Sequence, residues 1–167
     1  MISARRQHAG GFTLLESLLA ATILAMAITA ITAPFTAGAQ NNHVQARRVL
    51  AVSLAQEMLE EILAKPFADP DGASSPGPES AEADRSQFDN IDDYHDYTES
   101  NGAIADAHGA LADGPAAEGL SRSVSTTYVF VTGQDTGEAP TFIRVIVEMS
   151  YRDQPILTLT RLVYAIK

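Results

Sequence analysis

The chain has 167 residues, a formal net charge of −10 and no cysteine. This length leaves room for one domain beyond an N-terminal anchor, and the lack of cysteine excludes disulfides, thiolate metal sites and a cysteine nucleophile. The acids are concentrated between residues 66 and 119, where thirteen of them accompany a single base, Arg85. Such an acidic region argues against a nucleic-acid partner, which requires clustered Lys and Arg.

An apolar segment at residues 10–33 is the first element of the chain. Its length matches the roughly 20 residues that a helix needs to cross a bilayer core, so we expect a transmembrane helix over residues 12–33. Arg5 and Arg6 precede it in a short leader, residues 1–11, and place the N-terminus in the cytoplasm. Glu16 is the one ionisable residue inside the apolar run, where a carboxylate is costly without a partner.

Residues 11–16, Gly-Phe-Thr-Leu-Leu-Glu, follow the basic leader and open the apolar run. This motif resembles the cleavage and methylation site of type IV prepilins and type II secretion pseudopilins. The resemblance implies that a prepilin peptidase cuts after Gly11 and methylates the new N-terminal Phe12, and that Glu16 acts in assembly. It further implies a single-pass inner-membrane protein with a periplasmic C-terminal head. Its partners would be other pilin or pseudopilin subunits and an inner-membrane assembly platform, and it would enter a fibre after assembly.

The chemistry of these three residues agrees with that expectation. Gly11 has no side chain, so its backbone can lie extended in a narrow protease cleft. Cleavage would leave the ammonium of Phe12 one helical turn from Glu16, as i and i+4 neighbours in one helix. Between packed helices, the ammonium of one subunit can instead meet the carboxylate of another, which offsets part of the desolvation cost of both groups. The alternative is an uncleaved signal anchor whose Glu16 extends to the lipid headgroups.

Residues 34–64 form the next predicted element, the amphipathic half of one long helix. Pro34 predicts an interruption or kink, after which the helix resumes and ends at Lys65–Pro66. The polar side chains of this half are expected on the face opposite its apolar side chains. The apolar positions are Leu50, Leu54, Met58 and Ile62, flanked by Ala51, Ala55, Leu59 and Leu63; the polar ones are Gln56, Glu57, Glu60 and Glu61.

Residues 65–121 are predicted to be an acidic, loop-rich region, with possible disorder over residues 73–84. Within it, Phe88, Ile91, Tyr94 and Tyr97 recur at intervals of three and are expected to attach residues 85–97 to the head. These residues resemble a segment of minor pilin-like proteins of the mannose-sensitive haemagglutinin pilus type.

The C-terminal residues 122–167 predict an antiparallel sheet. Strands are expected at residues 123–132, 141–151 and 156–166, with a turn at residues 152–155. Ile143, Val145, Val147, Met149 and Tyr151 alternate along the second strand and form one apolar face. Because that face needs a cover, we expect the amphipathic helix to pack on it. The predicted class is α+β, and the resemblance implies that it is pilin-like.

Four aspartates near one another in sequence are the candidate metal ligands. Asp89, Asp92, Asp93 and Asp96, with His95 among them, can supply oxygen ligands for a hard cation such as Ca²⁺. Their spacing matches no known calcium loop, so an acidic solvated surface is the competing interpretation. Some pseudopilins bind calcium in a C-terminal loop. The histidines lack zinc-site spacing.

No sequence motif indicates catalysis. The chain contains no serine in a nucleophile-elbow context and no Gly-rich phosphate loop after a strand, so we expect neither an enzyme nor a cofactor. The expected function is that of a minor pilin or pseudopilin, a structural subunit of a type IV pilus or a type II secretion pseudopilus. The alternative is a membrane-tethered periplasmic binding or hydrolytic domain whose leader matches by accident, which a ligand-dependent rise in melting temperature would favour.

Overall fold

The computed structural model describes residues 11–70, 72, 76–135 and 140–164. The leader up to residue 10, with Arg5 and Arg6, lies outside these residues, as do residues 73–75 of the segment predicted to be disordered. The chain divides into two compact units, residues 1–42 and residues 43–167. We call them the apolar unit and the sheet unit and describe each by itself.

The apolar unit contains the first part of helix α1, which runs over Leu14–Leu63 with Pro34 inside it. The predicted interruption at Pro34 is therefore wrong, because helical structure continues through it. Proline lacks the N–H that would bond the carbonyl four residues earlier, here that of Ala30, and the helix tolerates this loss. The threonine hydroxyls of this unit bond other carbonyls of the same helix. The hydroxyl of Thr32 donates to the carbonyl of Ile28 at 3.0 Å, and that of Thr29 donates to the carbonyls of Ala25 and Met26 at 3.1 and 2.9 Å.

The apolar side chains of this unit are exposed. An 18-residue window of α1 has a mean hydropathy of 2.1, and none of it is buried. The helix is thus long and apolar enough to cross a membrane, as predicted from composition. The exposed large apolar residues of this unit are Phe12, Leu14, Leu15, Leu18, Leu19, Ile23, Leu24, Met26, Ile28, Ile31 and Phe35.

In the sheet unit, the last part of α1 buries the predicted apolar face. Leu54, Met58 and Ile62 are 5%, 0% and 0% exposed and belong to the same core cluster as the inner residues of the sheet. This confirms that the helix covers the sheet. The prediction is wrong for Leu63, which is 41% exposed, and for Glu61, which was expected on the solvent face but is half-buried and ion-paired.

The sheet has four antiparallel strands in the order β1 (Thr98–Glu99), β2 (Leu120–Val129), β3 (Phe142–Tyr151) and β4 (Gln154–Tyr164). The three predicted strands are confirmed with ends shifted by up to three residues, and β1 was not predicted. The predicted end of the third strand, at residue 166, lies outside the described residues. Of the predicted inner residues of β3, Tyr151 is only partly buried, whereas the others are fully buried: Ile143, Val145, Val147 and Met149.

The β3–β4 hairpin turns over two residues, not the four that were predicted. Arg152 and Asp153 have φ values of +50° and +64°, which is the backbone of a type I′ turn. This turn matches the twist of antiparallel strands and lets pairing begin at once, with Tyr151 opposite Gln154. Val147 in the centre of β3 is paired with Val124 of β2 and Leu159 of β4.

The described part of the acidic region between α1 and β2 contains regular secondary structure, although the region was predicted to be rich in loops. It holds two 3₁₀ helices, Arg85–Gln87 and Asp92–Tyr94, in addition to β1. Phe88, Ile91 and Tyr94 are buried in the core cluster, and Tyr97 packs against it, so the predicted attachment is confirmed. The Phe88 and Tyr94 rings meet edge-to-face with centroids 5.0 Å apart.

Candidate functional site

The predicted cleavage site lies in exposed backbone just before α1. Gly11, Phe12 and Thr13 precede the helix, and Phe12 is 82% exposed. A Cβ built on Gly11 would meet no atom within 4 Å. As far as the described residues show, the Gly11–Phe12 peptide bond is therefore non-helical and not covered by side chains, as a bond must be to enter a protease cleft.

Thr13 and Glu16 together begin the helix. The backbone N–H of Glu16 donates to Thr13 Oγ1 at 3.2 Å, and the N–H of Ser17 donates to the Thr13 carbonyl at 3.1 Å. A threonine followed three residues later by glutamate has the spacing of a capping box. An acid in the first turn also interacts favourably with the positive end of the helix dipole. Thr13 therefore caps the helix, and Glu16 stands at the position from which a side chain can complete a capping box; sequence reasoning missed this Thr-x-x-Glu signal.

Phe12 lies outside the helix, because α1 begins at Leu14. In the intact chain the helix thus begins two residues after the predicted start at residue 12, and the proximity of the Phe12 ammonium to Glu16 after cleavage stays a prediction. Thr13 takes the capping position, and that places Phe12 one residue before the cap. Glu16 is exposed, so its carboxylate remains accessible to a group from another molecule.

A buried ion pair, Arg122–Glu99, joins β2 to β1 inside the sheet unit. The Arg122 side chain is fully buried, and its Nε donates to Glu99 Oε2 at 2.5 Å. Its other two nitrogens donate to the carbonyls of Leu54 in α1 at 2.8 Å and Ala105 at 2.7 Å. Arg122 therefore connects the helix, the edge strand and the loop that follows it.

A second arginine extends this network to the end of α1. Arg85 forms ion pairs with both Glu61 and Glu99. Its Nη1 also donates to the Ala105 carbonyl at 3.0 Å, and the hydroxyl of Tyr94 donates to Glu61 Oε1 at 2.8 Å. The two arginines thus share Glu99 and one carbonyl, which distributes the charge of the buried cluster.

The pKa shifts in the network follow from burial and pairing. Burial tends to raise the pKa of Glu61, but hydrogen bonds from Arg85 and Tyr94 outweigh it and hold that pKa below its ordinary value. Burial, followed by the hydrogen bond to the charged Glu61, raises the pKa of Tyr94. The pKa of Arg122 is lowered chiefly by burial. The shifts of Glu61 and Tyr94 favour the charged and neutral forms that these groups ordinarily have at neutral pH, so their hydrogen bond and the Glu61–Arg85 pair are suited to fixing the helix on the sheet.

The four aspartates predicted as metal ligands do not converge. Asp93 Oδ2 instead accepts the backbone N–H groups of Asp89 and Asn90 at 2.8 and 2.9 Å and so caps its own turn. The Asp96 side chain is 85% exposed. His95, which was grouped with them, contacts the Thr126 carbonyl through Nδ1 at 2.7 Å.

A different carboxylate group includes only one of those aspartates. Within the described residues, Glu79, Glu82 and Asp93 bring one oxygen each to within 4.8 Å of one another. No sequence spacing indicates this group, because a turn and a 3₁₀ helix separate its members. We refer to it below as the carboxylate cluster.

Two clefts flank the C-terminal end of α1. They enclose about 530 and 540 Å³, and both are lined by Glu61, Asp106 and His108. Their walls combine charged and apolar groups, and Glu60 and Lys65 also line the first of them.

No protein-family model, no curated protein and no solved structure matches this chain.

Proposed function

We propose that this chain is a minor pilin or pseudopilin, a membrane-anchored structural subunit that a prepilin peptidase processes for assembly into a fibre. One observation carries the proposal: the exposed Gly11–Phe12 bond directly precedes a capped helix whose apolar side chains are uncovered. The motif at residues 11–16 thus coincides with an accessible peptide bond and with a helix that can serve as a membrane anchor, and this combination supports the proposal. The fibre would be a type IV pilus or a type II secretion pseudopilus.

The uncovered helix requires an apolar environment. Burying a large aliphatic or aromatic side chain contributes about 1.5–3 kcal/mol, and the apolar unit exposes a long series of them. Lipid supplies such an environment to a single subunit in the membrane. Neighbouring helices supply it within a fibre. The apolar segment would therefore be covered both in the membrane-bound subunit and in the assembled one.

Glu16 would provide specificity in assembly. After cleavage, the Phe12 ammonium of one subunit can approach the exposed Glu16 carboxylate of its neighbour. Within packed helices a misplaced subunit leaves both charges unpaired in an apolar setting, which is strongly unfavourable. The pair would therefore select one axial register.

Processing is tested by mass spectrometry of the protein extracted from membranes. We expect loss of residues 1–11 and a methyl group on Phe12. Gly11→Val should block cleavage because a branched side chain does not fit a narrow cleft, whereas Gly10→Val is the matched control and should be cleaved. An intact leader on the wild-type chain, in cells with active peptidase, would contradict the proposal.

The role of Glu16 is tested by comparing three substitutions. Glu16→Gln keeps a side chain suited to the capping box but removes the charge, while Glu16→Ala and Glu16→Leu remove both. We expect all three to be cleaved and inserted normally and to enter sheared fibres poorly. If Gln is incorporated at the wild-type level and the other two are not, Glu16 acts through the cap. Normal incorporation of all three would show that Glu16 is not needed in the fibre.

A further inference from the structure

We infer that the carboxylate cluster of Glu79, Glu82 and Asp93 is a binding site for a hard divalent cation, with Ca²⁺ as the best fit. The inference is independent of the proposed function and uses different residues from the aspartates suggested by sequence, apart from Asp93. It rests on the spacing of the carboxylates, on the hydrogen bonds that hold them and on one unpartnered buried oxygen.

The ligand oxygens are spaced for a single ion. One oxygen from each residue lies within 4.8 Å of the others. Calcium binds oxygen at about 2.3–2.6 Å, so two ligands on opposite sides of the ion lie at most about 5 Å apart. Three carboxylates match the charge that calcium sites use, and calcium's remaining positions can be filled by water or carbonyl oxygens.

The backbone holds the three side chains in place. The N–H of Glu82 donates to the Glu79 carbonyl at 2.9 Å, and the N–H of Glu79 donates to Glu82 Oε2 at 3.1 Å, which closes a turn. Asp93 lies in the 3₁₀ helix Asp92–Tyr94. The N–H of Gly77 donates to the carbonyl of Asp92 at 3.1 Å and ties the turn to that helix.

Asp93 provides the observation that points to a ligand. Its side chain is fully buried, and Oδ2 already accepts two backbone N–H groups. Oδ1 is also buried and has no hydrogen-bond partner among the described residues. A buried carboxylate oxygen without a donor is costly, and a cation bound between Asp93 and the two glutamates would satisfy it.

The charges around the cluster agree with this geometry. Asp92 adjoins Asp93, and Asp69 is close enough to interact electrostatically with both Glu79 and Asp93. Carboxylates crowded in this way repel one another, and a divalent cation would remove that repulsion.

The test uses the full chain in nonionic detergent micelles, first treated with a chelator and then titrated with CaCl₂ at constant ionic strength. The melting temperature, followed by the near-ultraviolet circular dichroism of tyrosine, should rise by several degrees with Ca²⁺ and less with Mg²⁺. Ligand binding to the folded state alone produces such a rise. Tb³⁺, excited through Tyr94 beside Asp93, should luminesce and be displaced by Ca²⁺.

The Glu79→Gln/Glu82→Gln variant should lose the calcium response and the terbium signal. Without calcium it should melt higher than wild type, because the repulsion is gone. The Asp113→Asn/Glu118→Gln variant is the control, with the same charge change at two exposed positions outside the cluster, and it should respond like wild type. An unchanged wild-type melting temperature in millimolar Ca²⁺, or an equal rise in both variants, would overturn the inference. Asp93→Asn is less suitable, because Oδ2 caps its own turn.

Discussion

Replacing Arg122 by methionine removes the centre of the buried ion network while nearly preserving side-chain volume. The substitution deletes the bonds from Arg122 to Glu99, to the Leu54 carbonyl and to the Ala105 carbonyl. Glu99, which is 7% exposed, still has Arg85 at 3.2 Å and the Ala105 N–H at 3.1 Å beside it but loses its closest cation. The sheet unit should therefore be strongly destabilised.

The expected magnitude follows from what remains. Breaking a buried ion pair on one side costs about 3–5 kcal/mol, because the remaining charge is uncompensated. Arg85 still lies beside Glu99 and the Ala105 carbonyl, which places the loss at about 3 kcal/mol, the lower end of that range. Adding Glu99→Gln removes the stranded charge, and the double variant should recover about half of the loss.

The assay is urea denaturation of the full chain in micelles, followed by near-ultraviolet tyrosine circular dichroism. Arg144→Met on β3 is the control, because Arg144 is exposed and surface changes usually stay within about 0.5 kcal/mol. A loss below about 1 kcal/mol for Arg122→Met, with no recovery in the double variant, would refute the idea that this pair fixes the helix on the sheet.

Two further predictions concern the same unit. Leu54→Asp should abolish the cooperative melting of the sheet unit, because it places an unpaired charge in the core. Val49→Asp is the control: its position is 70% exposed, and it should shift the melting temperature by no more than a degree or two. Equal melting of the two variants would show that the helix does not cover the sheet. Burial, then the charge of Asp93, raises the pKa of Asp92 from 3.8 to about 6, so the folded state binds this proton more tightly and the free energy of unfolding should fall as pH rises from 4 to 6. Each pKa unit corresponds to about 1.4 kcal/mol, and solvent screens part of the interaction, so Asp92→Asn should remove about 1–2 kcal/mol of that fall. The fall is measured from urea midpoints with chelator present. If the variant and the wild type show the same pH dependence, Asp92 does not have a raised pKa in the folded state.

The secondary structure of the sheet unit was largely predictable, because its main elements bury one face. The four-residue recurrence from Leu54 to Ile62 and the alternation from Ile143 to Met149 are direct consequences of helix and strand geometry. The two-residue strand β1 is too short to show any period. It exists because Thr98 and Glu99 pair with Ser123 and Arg122, which are distant from them in the sequence.

The polar interior was not predictable for a similar reason. Glu99 and Arg122 are separated by 23 residues, and Glu61 and Arg85 by 24, so no local spacing signals either pair. The hairpin also lacked the usual signal, because Arg152 and Asp153 adopt positive φ values that Asn and Gly adopt more readily. The interruption predicted at Pro34 is absent, because one missing hydrogen bond does not outweigh the remaining bonds of a 50-residue helix.

The threonines of the apolar unit have a consequence for how that helix meets its surroundings. The hydroxyls of Thr22, Thr29 and Thr32 donate to carbonyls of their own helix at 2.8–3.1 Å. These hydroxyls need no hydrogen-bond partner from a neighbouring molecule. The segment can therefore turn about its axis, or exchange one apolar environment for another, without breaking a hydrogen bond. Hydrogen bonds from these threonines then favour no particular neighbour of the helix, and Glu16 at its N-terminal end is the group that can favour one.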